Sequence, residues 1–261
     1  GKPDQDYLVQ GQNDALITEL CNISQVKPLR VLSGQTASVF ANATRSITEI
    51  ANEINVDYII EGSVIHVGDS INLQLRLIQA FPDEKLIWAS NYKSDITNSK
   101  KLYNNVAGQI IKKIGFDITP ENIVKLPTPR KINPVTYATY LRGMYNINTF
   151  TDEGLKKGIE YLNEVLRTDP GDAFAYAGVA LGYAAIAHGP LDTGDALEKA
   201  EAAALQAIRL DTTIAEVYTA LGEVSAYYNW KFDLAEKYFK KALALNPNSA
   251  ITHYHYAWCL Y

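Results

Sequence analysis

The sequence predicts an α/β (α+β) domain, a small mixed-sheet sandwich, followed by an all-α solenoid. An alternating apolar pattern, bordered by amphipathic helical segments, predicts the sandwich, because a sheet with one apolar face needs helices to cover it. Turns that recur at similar spacing in the second half predict the solenoid. We therefore expect two modules with different architectures.

The amino-acid composition limits the classes of protein to which this chain can belong. The chain has 261 residues, 47% hydrophobic and 20% charged, a composition typical of folded globular domains. The formal net charge of -5 gives no electrostatic reason to expect nucleic-acid binding. No run of roughly 18 apolar residues is present, so we expect no membrane span. The polar start and the aromatic, helix-like end, HYHYAWCLY, favour a fragment of a longer protein.

Helix and strand signals follow one another through the first module. The spacing of apolar residues predicts a helix over Tyr7–Ile23, and Leu29–Gly34 is a strand candidate. Ser46 followed three residues later by Glu49 is a capping-box pattern, and Asn55 is a plausible end of that helix. We expect the short helix to lead directly into the sheet.

The stretch Tyr58–Ile78 predicts two strands joined by a Gly68-Asp69 turn. Residues 71 to 77 alternate strictly between apolar and polar, which is typical of a strand with one buried face. A third strand, residues 86–96, and a closing helix follow. The expected cross-strand pairs are Val64 with Leu73 and Glu61 with Arg76, and the apolar positions of the closing helix are Leu102, Val106, Ile110 and Ile114, before a stop at Gly115.

A proline-rich stretch separates the two modules. Asp117–Pro134 contains four prolines in eighteen residues and has no clear period, which predicts an extended linker. We place the α/β domain at residues 1–116, the linker at 117–133 and the solenoid at 134–261. Two widely spaced cysteines, Cys21 and Cys259, are interpreted as buried thiols rather than a disulfide.

The second module contains three similar turns. They lie at Asp169-Pro170, Asp211-Thr212 and Asn246-Pro247, at spacings of 42 and 35 residues. A period near 34 with paired amphipathic helices is typical of tetratricopeptide (TPR) repeats. A generic helical bundle would not explain the matched turns. The expected small-residue positions are Gly143 and Gly222, the longer turn of the second repeat is HGPLDTGD, and a fourth repeat begins at Ala250.

The first module resembles a known family. The segment IANEINVDYIIEGSVIHVGDSINLQLRLI is similar to the domain named for the amino-terminal domain of TolB, and the likeness extends over residues 1–116. That family normally has a first strand just before the position of Gly1, so we expect that the strand was left out of this chain or that another segment replaces it. In bacterial membrane-anchored signalling proteins this module precedes TPR repeats, so the resemblance implies a sensory region placed extracytoplasmically (in the periplasm), with a cytoplasmic location as the alternative. The effector it implies, outside this chain, is a transcriptional regulator, an adenylate or guanylate cyclase or a protein kinase.

Patterns that carry chemistry are not found in the sequence. There is no glycine-rich phosphate loop and no nucleophile elbow. His253 and His255 are two residues apart, which on a helix puts them on separated faces rather than in the i, i+4 arrangement of a metal-binding pair. The sequence therefore predicts no catalytic residue, no metal and no cofactor.

The repeats offer the best predicted binding surface. First helices line the groove of such solenoids, and aromatic residues beside carboxylates there suit an extended peptide or protein partner. We expect an interaction region of a signalling protein that binds a peptide, a protein or a small ligand in this groove, with an envelope scaffold as the alternative and an undetected enzyme as a third hypothesis. The predicted groove residues are Tyr137, Tyr140, Phe174, Glu216, Thr219, Glu223 and Tyr227, with Asn148 as a further candidate.

Overall fold

The computed structural model describes residues 6–24, 29–32, 34–40, 44–67, 70–116, 133–189 and 194–261. The chain forms two compact units, one of residues 12–132 and one of residues 133–261 together with 1–11. Each unit is described by itself, and the predicted domain limits stay a prediction. The predicted linker, the Gly68-Asp69 turn and the middle of HGPLDTGD lie outside the described residues.

The first unit contains helices and one sheet. Its three strands pair in the order β1-β2-β3, and both pairs are antiparallel. In chain order the elements are α1 (Asp6–Ser24), α2 (Gly34–Ser38), α3 (Ile47–Ile54), β1 (Tyr58–Val67), β2 (Ser70–Gln79), β3 (Lys85–Asp95), a 3-10 turn (Ile96–Asn98) and α4 (Ser99–Lys113).

The predicted hairpin register is confirmed. Val64 lies opposite Leu73, and Glu61 lies opposite Arg76 with 3.7 Å between carboxylate and guanidinium. The alternating apolar residues of β2 are all buried, and they pack with side chains from α1 and α4 in one core cluster. Tyr103 and Gln12 form a buried polar pair in this core, in which the Tyr103 hydroxyl donates to Gln12 Oε1 at 2.5 Å. The apolar face of the hairpin is thus covered by two helices.

The expected strand at Leu29–Gly34 is wrong, and so is the mixed sheet. Residues 29–32 have no strand pairing, α2 begins at Gly34, and the sheet is antiparallel over its described residues. Leu29 and Val31 instead pack partly buried on the core. Between them, the Arg30 guanidinium donates to the carbonyls of Ile54, at 2.9 Å, and Asn55. Hydrogen bonds from the Arg30 side chain therefore hold this segment in place of the main-chain hydrogen bonds expected of a strand.

Helix ends follow the predicted signals. The Ser46 hydroxyl accepts from the Glu49 N–H at 3.2 Å, and the Glu49 carboxylate accepts from the Ser46 N–H at 2.8 Å, which completes the capping box. These bonds lower the pKa of Glu49. Asn55 ends α3 with a φ of 53°, and Gly115 follows α4 with a φ of 89°. Both take the left-handed conformation typical of helix ends.

The second unit is an array of helical hairpins. Helices α5 and α6, α7 and α8, and α9 and α10 pack as successive pairs, and α11 packs against the last pair. The elements are α5 (Pro134–Ile147), α6 (Asp152–Thr168), α7 (Ala173–Ala187), α8 (Ala196–Leu210), α9 (Ala215–Glu223), continued by a π-helical turn (Val224–Tyr228), α10 (Phe232–Leu245) and α11 (Ala250–Leu260).

The three matched turns have the same structure. Asp169, Asp211 and Asn246 each follow the second helix of a hairpin and accept the N–H two residues later, at 3.2, 2.7 and 3.2 Å. Their own N–H groups donate to the carbonyl four residues earlier, at 2.7, 2.8 and 2.8 Å. In each case the next helix starts four residues further on. The repeat prediction is confirmed at the level of local geometry, and the fold of this unit is TPR-like.

Glycines allow the paired helices to approach closely. A Cβ on Gly143 would lie 2.7 Å from the Leu162 side chain, and one on Gly222 would lie 2.5 Å from the Phe239 ring. Both contacts are shorter than van der Waals distances, so only glycine fits the observed spacing. The two predicted small-residue positions, Gly143 and Gly222, therefore lie where the two helices of a hairpin contact each other.

Candidate functional site

The first helices of the hairpins carry the seven predicted groove residues, and these divide by exposure. Tyr140, Phe174, Glu216 and Tyr227 are partly exposed. Tyr137, Thr219 and Glu223 are buried, at 5%, 1% and 2% exposure. Only the first group can contact a partner directly in this arrangement, and a binding role for any of them stays a prediction.

An aromatic pair lies on α5. The rings of Tyr137 and Tyr140 are nearly parallel, with centroids 6.4 Å apart. On α7, Phe174 is at the helix start, where the Asp172 carboxylate accepts its N–H at 3.0 Å. Asn148 ends α5 and is partly exposed. The partly exposed aromatics offer apolar contact area on two successive first helices.

Glu216 and Thr219 lie on α9. Desolvation raises the pKa of the Glu216 carboxyl above its usual value, although the residue as a whole is partly exposed. The Thr219 hydroxyl contacts the Thr252 hydroxyl of α11 at 2.7 Å. Thr219 therefore faces the next helix of the array rather than solvent.

Glu223, at the end of α9, meets two histidines from neighbouring helices. Its Oε2 lies 3.2 Å from Nε2 of His188, which follows α7, and its Oε1 lies 3.5 Å from Nε2 of His255 on α11. The carboxylate is 3% exposed and the two imidazoles are 37% and 10% exposed. Three groups able to bind a metal ion thus converge, with one ligand atom from each within 4.8 Å of the others.

Aromatic rings surround this cluster. The Tyr227 ring meets the His188 ring edge-on at 4.8 Å, and the Tyr254 ring meets the His255 ring edge-on at 5.0 Å. Burial lowers the pKa of His255; the Glu223 charge opposes this and His188 adds to it. Desolvation raises the pKa of the Tyr227 hydroxyl, and the charge of Glu223 raises it further.

Sequence reasoning placed Glu223 in the groove but missed its two histidine neighbours. His188 was assigned to a turn, and His255 was judged only against His253, which is exposed and contacts the Pro247 carbonyl at 2.9 Å. The available signal was the repeat itself, because residues about one repeat apart come together in such arrays. His188 and Glu223 are 35 residues apart, close to one period.

A family model matches residues 3–111, and its description is the second domain of the HilA/YgeH-like transcriptional regulators. The first unit is thus similar to a regulator domain. The finer resemblance to the TolB-type domain is not shown and stays a prediction.

Curated relatives carry regulator and cyclase names. Adenylate cyclase 3 of Rhizobium meliloti (strain 1021) is 25% identical over 69% of this chain and 30% of that protein. The transcriptional regulator HilA of Salmonella typhimurium (strain LT2) is 24% identical over 84% of this chain and 39% of that protein. The chain therefore spans well under half the length of either relative.

Solved TPR domains are similar to about half of the chain. The Arabidopsis OM64 TPR domain covers 48% of this chain and 93% of its own, at 15% identity and a TM-score of 0.38. The second TPR domain of human RPAP3, in complex with an HSP70 peptide, covers 48% and 98%, at 21% identity and a TM-score of 0.37.

The predicted extracytoplasmic location is wrong. The matching family consists of transcriptional regulators, and HilA is named as one. Neither name carries an extracytoplasmic placement, which rested only on the resemblance to membrane-anchored proteins. Among the helices of the described residues, none has the length and apolarity needed to cross a bilayer.

Proposed function

We propose that this chain is a non-catalytic interaction region of a larger bacterial regulatory protein, and that it binds a peptide or protein partner through the first helices of its hairpins. The observation that carries the proposal is the array of three hairpins with matching turns. Such arrays align their first helices along one continuous surface, which suits an extended segment of another protein.

The partly exposed residues of that surface suggest the chemistry of the partner. Tyr140 and Phe174 offer aromatic contact area, and Glu216 offers a carboxylate. Aromatic anchors supply most of the energy of interfaces of this kind, while charged groups add selectivity. An extended peptide with apolar anchors and basic or polar flanks fits this set best.

The names of the relatives support a regulatory context. One relative is named as a transcriptional regulator and another as an adenylate cyclase, and both are much longer than this chain. The proposal therefore assigns the effector activity to segments outside these residues. The alternative, an envelope scaffold, requires an extracytoplasmic location. Because that location is contradicted, we do not propose it.

Peptide selection on the intact chain tests the proposal. Peptides enriched from a random displayed library would be labelled, and their dissociation constants measured by fluorescence polarisation. Phe174→Ala and Tyr140→Ala should each weaken binding about tenfold, equivalent to about 1.4 kcal/mol. Leu205→Ala removes an equally apolar side chain, 42% exposed, from the second helix α8 and should leave binding unchanged.

Two outcomes would count against the proposal. If no peptide is enriched on the folded chain, the surface does not bind extended segments. If the Leu205 variant loses as much affinity as the Phe174 and Tyr140 variants, binding does not use the first helices. Circular dichroism of each variant separates lost contacts from lost structure.

A further inference from the structure

We propose that His188, Glu223 and His255 form a binding site for a divalent transition-metal ion, and that Zn²⁺ is the ion it fits best. The three side chains come from two successive hairpins and the helix that follows them, since His188 follows α7, Glu223 ends α9 and His255 lies within α11. An ion bound there would join these parts of the array. This inference is independent of peptide binding.

The distances match a coordination sphere. Zinc binds imidazole nitrogen and carboxylate oxygen at about 2.0–2.2 Å in tetrahedral geometry, which separates neighbouring ligand atoms by roughly 3.3 Å. In the cluster, His188 Nε2 lies 3.2 Å from Oε2 of Glu223 and His255 Nε2 lies 3.5 Å from Oε1, so each imidazole is near one oxygen of the same carboxylate. One ligand atom from each residue lies within 4.8 Å of the others, so ion binding must draw the most distant pair closer together, and His188, at 37% exposure, is the least buried of the three.

The donor set suits zinc in charge and in type. Two imidazoles and one carboxylate are a known zinc-binding combination that leaves a fourth position for water or another ligand. Glu223 is a buried carboxylate, and within the described residues no Lys or Arg forms an ion pair with it. A bound cation would supply the missing positive charge, since buried carboxylates are stable only when they are paired or bind metals.

His255 is hard to explain by packing alone. It is 8% exposed, and its Nδ1 atom has no hydrogen-bond partner among the described residues. A buried polar atom without a partner costs about 1–3 kcal/mol, so an apolar residue would stabilise the array better. With Nε2 on an ion, the proton of the imidazole lies on Nδ1, and a metal-binding histidine usually donates that N–H to a carboxylate, a carbonyl or a water molecule, so we expect a water molecule there.

The backbone beside Glu223 is also unusual. From Val224 to Tyr228 helix α9 continues as a π-helical turn, closed by the Asn229 N–H donating to the Val224 carbonyl at 3.0 Å. Such turns are frequently found at functional sites. This turn holds Tyr227, whose ring contacts both imidazoles, at 4.8 and 6.2 Å. The imidazoles are therefore oriented by packed rings before any ion binds.

Metal titration of the intact chain, free of any histidine tag and stripped with a chelator, tests the site. Co²⁺ should give the visible absorption bands of tetrahedral coordination, and Zn²⁺ should displace it. Isothermal titration calorimetry should find one Zn²⁺ per chain. Zinc should also raise the thermal midpoint, because it binds only the folded array.

Variants identify the ligands. His188→Asn changes the most exposed member of the cluster, so it should fold normally and bind zinc at least about tenfold more weakly. Glu223→Gln keeps the side-chain size but removes the charge and should have the same effect. His253→Asn removes an exposed histidine of the same helix, and Cys259→Ser removes the thiol one turn beyond His255; both should bind zinc like the unchanged chain.

Several results would overturn the proposal. One is an unchanged chain that takes up no zinc and shows no rise in its thermal midpoint. Another is His188→Asn binding as tightly as His253→Asn, which would leave a hydrogen-bonded network without an ion. Loss of binding in Cys259→Ser would also show that the assigned ligand set is wrong.

Discussion

Exposure at single residues separates the predicted groove positions that reach solvent from those that do not. The repeat pattern placed Thr219 and Glu223 on a first helix, and the structure keeps them there but buries both. Their neighbours are Thr252 and His255 of α11, which packs over this part of α9. Repeat position identifies the helix face, but it does not reveal where the next helix covers that face.

Glu216 provides a test of desolvation at one residue. Its pKa is raised by burial from a usual value of 4.5, so its charged form at neutral pH lowers the free energy of unfolding. We expect Glu216→Gln to raise that free energy at pH 7. The gain should disappear below about pH 4.5, where the carboxyl is protonated in both states. Urea unfolding of both chains at several pH values measures this difference in the free energy of unfolding.

The matched control, Glu153→Gln, should change the free energy of unfolding in the opposite direction. Glu153 is exposed, and its hydrogen bond to Lys157 lowers its pKa. Glu153→Gln should therefore lower the free energy of unfolding at pH 7, and this loss should shrink as the pH falls through the folded pKa of Glu153. If both variants shift stability in the same direction at pH 7, the assigned environment of Glu216 is wrong.

Among the secondary-structure elements, the hairpin was the most predictable from sequence. Strict alternation in β2 fixed both the buried face and the register, because a slip by one residue would expose every apolar side chain. The strand expected at Leu29–Gly34 failed because four apolar or small residues also suit an extended segment held by a side chain. Arg30 forms that anchor, through contacts with residues more than twenty positions away.

The capping box of α3 should contribute measurably to stability. Ser46→Ala removes the hydroxyl that accepts the Glu49 N–H. We expect the free energy of unfolding to fall by about 1 kcal/mol. Ser46→Asp restores a capping acceptor and should recover most of the loss. Equal destabilisation by both substitutions would show that the cap has no stabilising role.

Helix packing in the third hairpin depends on Gly222. Gly222→Ala places a methyl group against the fully buried Phe239 ring and should lower the free energy of unfolding by about 1–2 kcal/mol. Gly108→Ala is the matched control, because nothing lies within 4 Å of a Cβ added there in α4. It should raise that free energy by about 0.5–1 kcal/mol. A tolerated Gly222→Ala would contradict the close approach of α9 and α10.

For the molecule as a whole, the sequence predicted architecture better than chemistry. The turns at Asp169, Asp211 and Asn246 repeat along the chain, so the hairpin array could be predicted from the amino-acid sequence alone. The cluster of His188, Glu223 and His255 could not, because no local motif links residues from two hairpins and the helix after them. The location inferred from family resemblance is wrong, because it rested on membrane-anchored proteins, whereas the family model that matches describes HilA/YgeH-like transcriptional regulators.

The most direct measurement of the central claim is amide chemical-shift mapping of the isotope-labelled chain with a selected peptide. Binding through the first helices predicts perturbations concentrated on α5, α7 and α9, with Phe174 and the residues around Tyr140 among them. Perturbations confined to α6, α8 and α10, or to residues 12–116, would contradict the account.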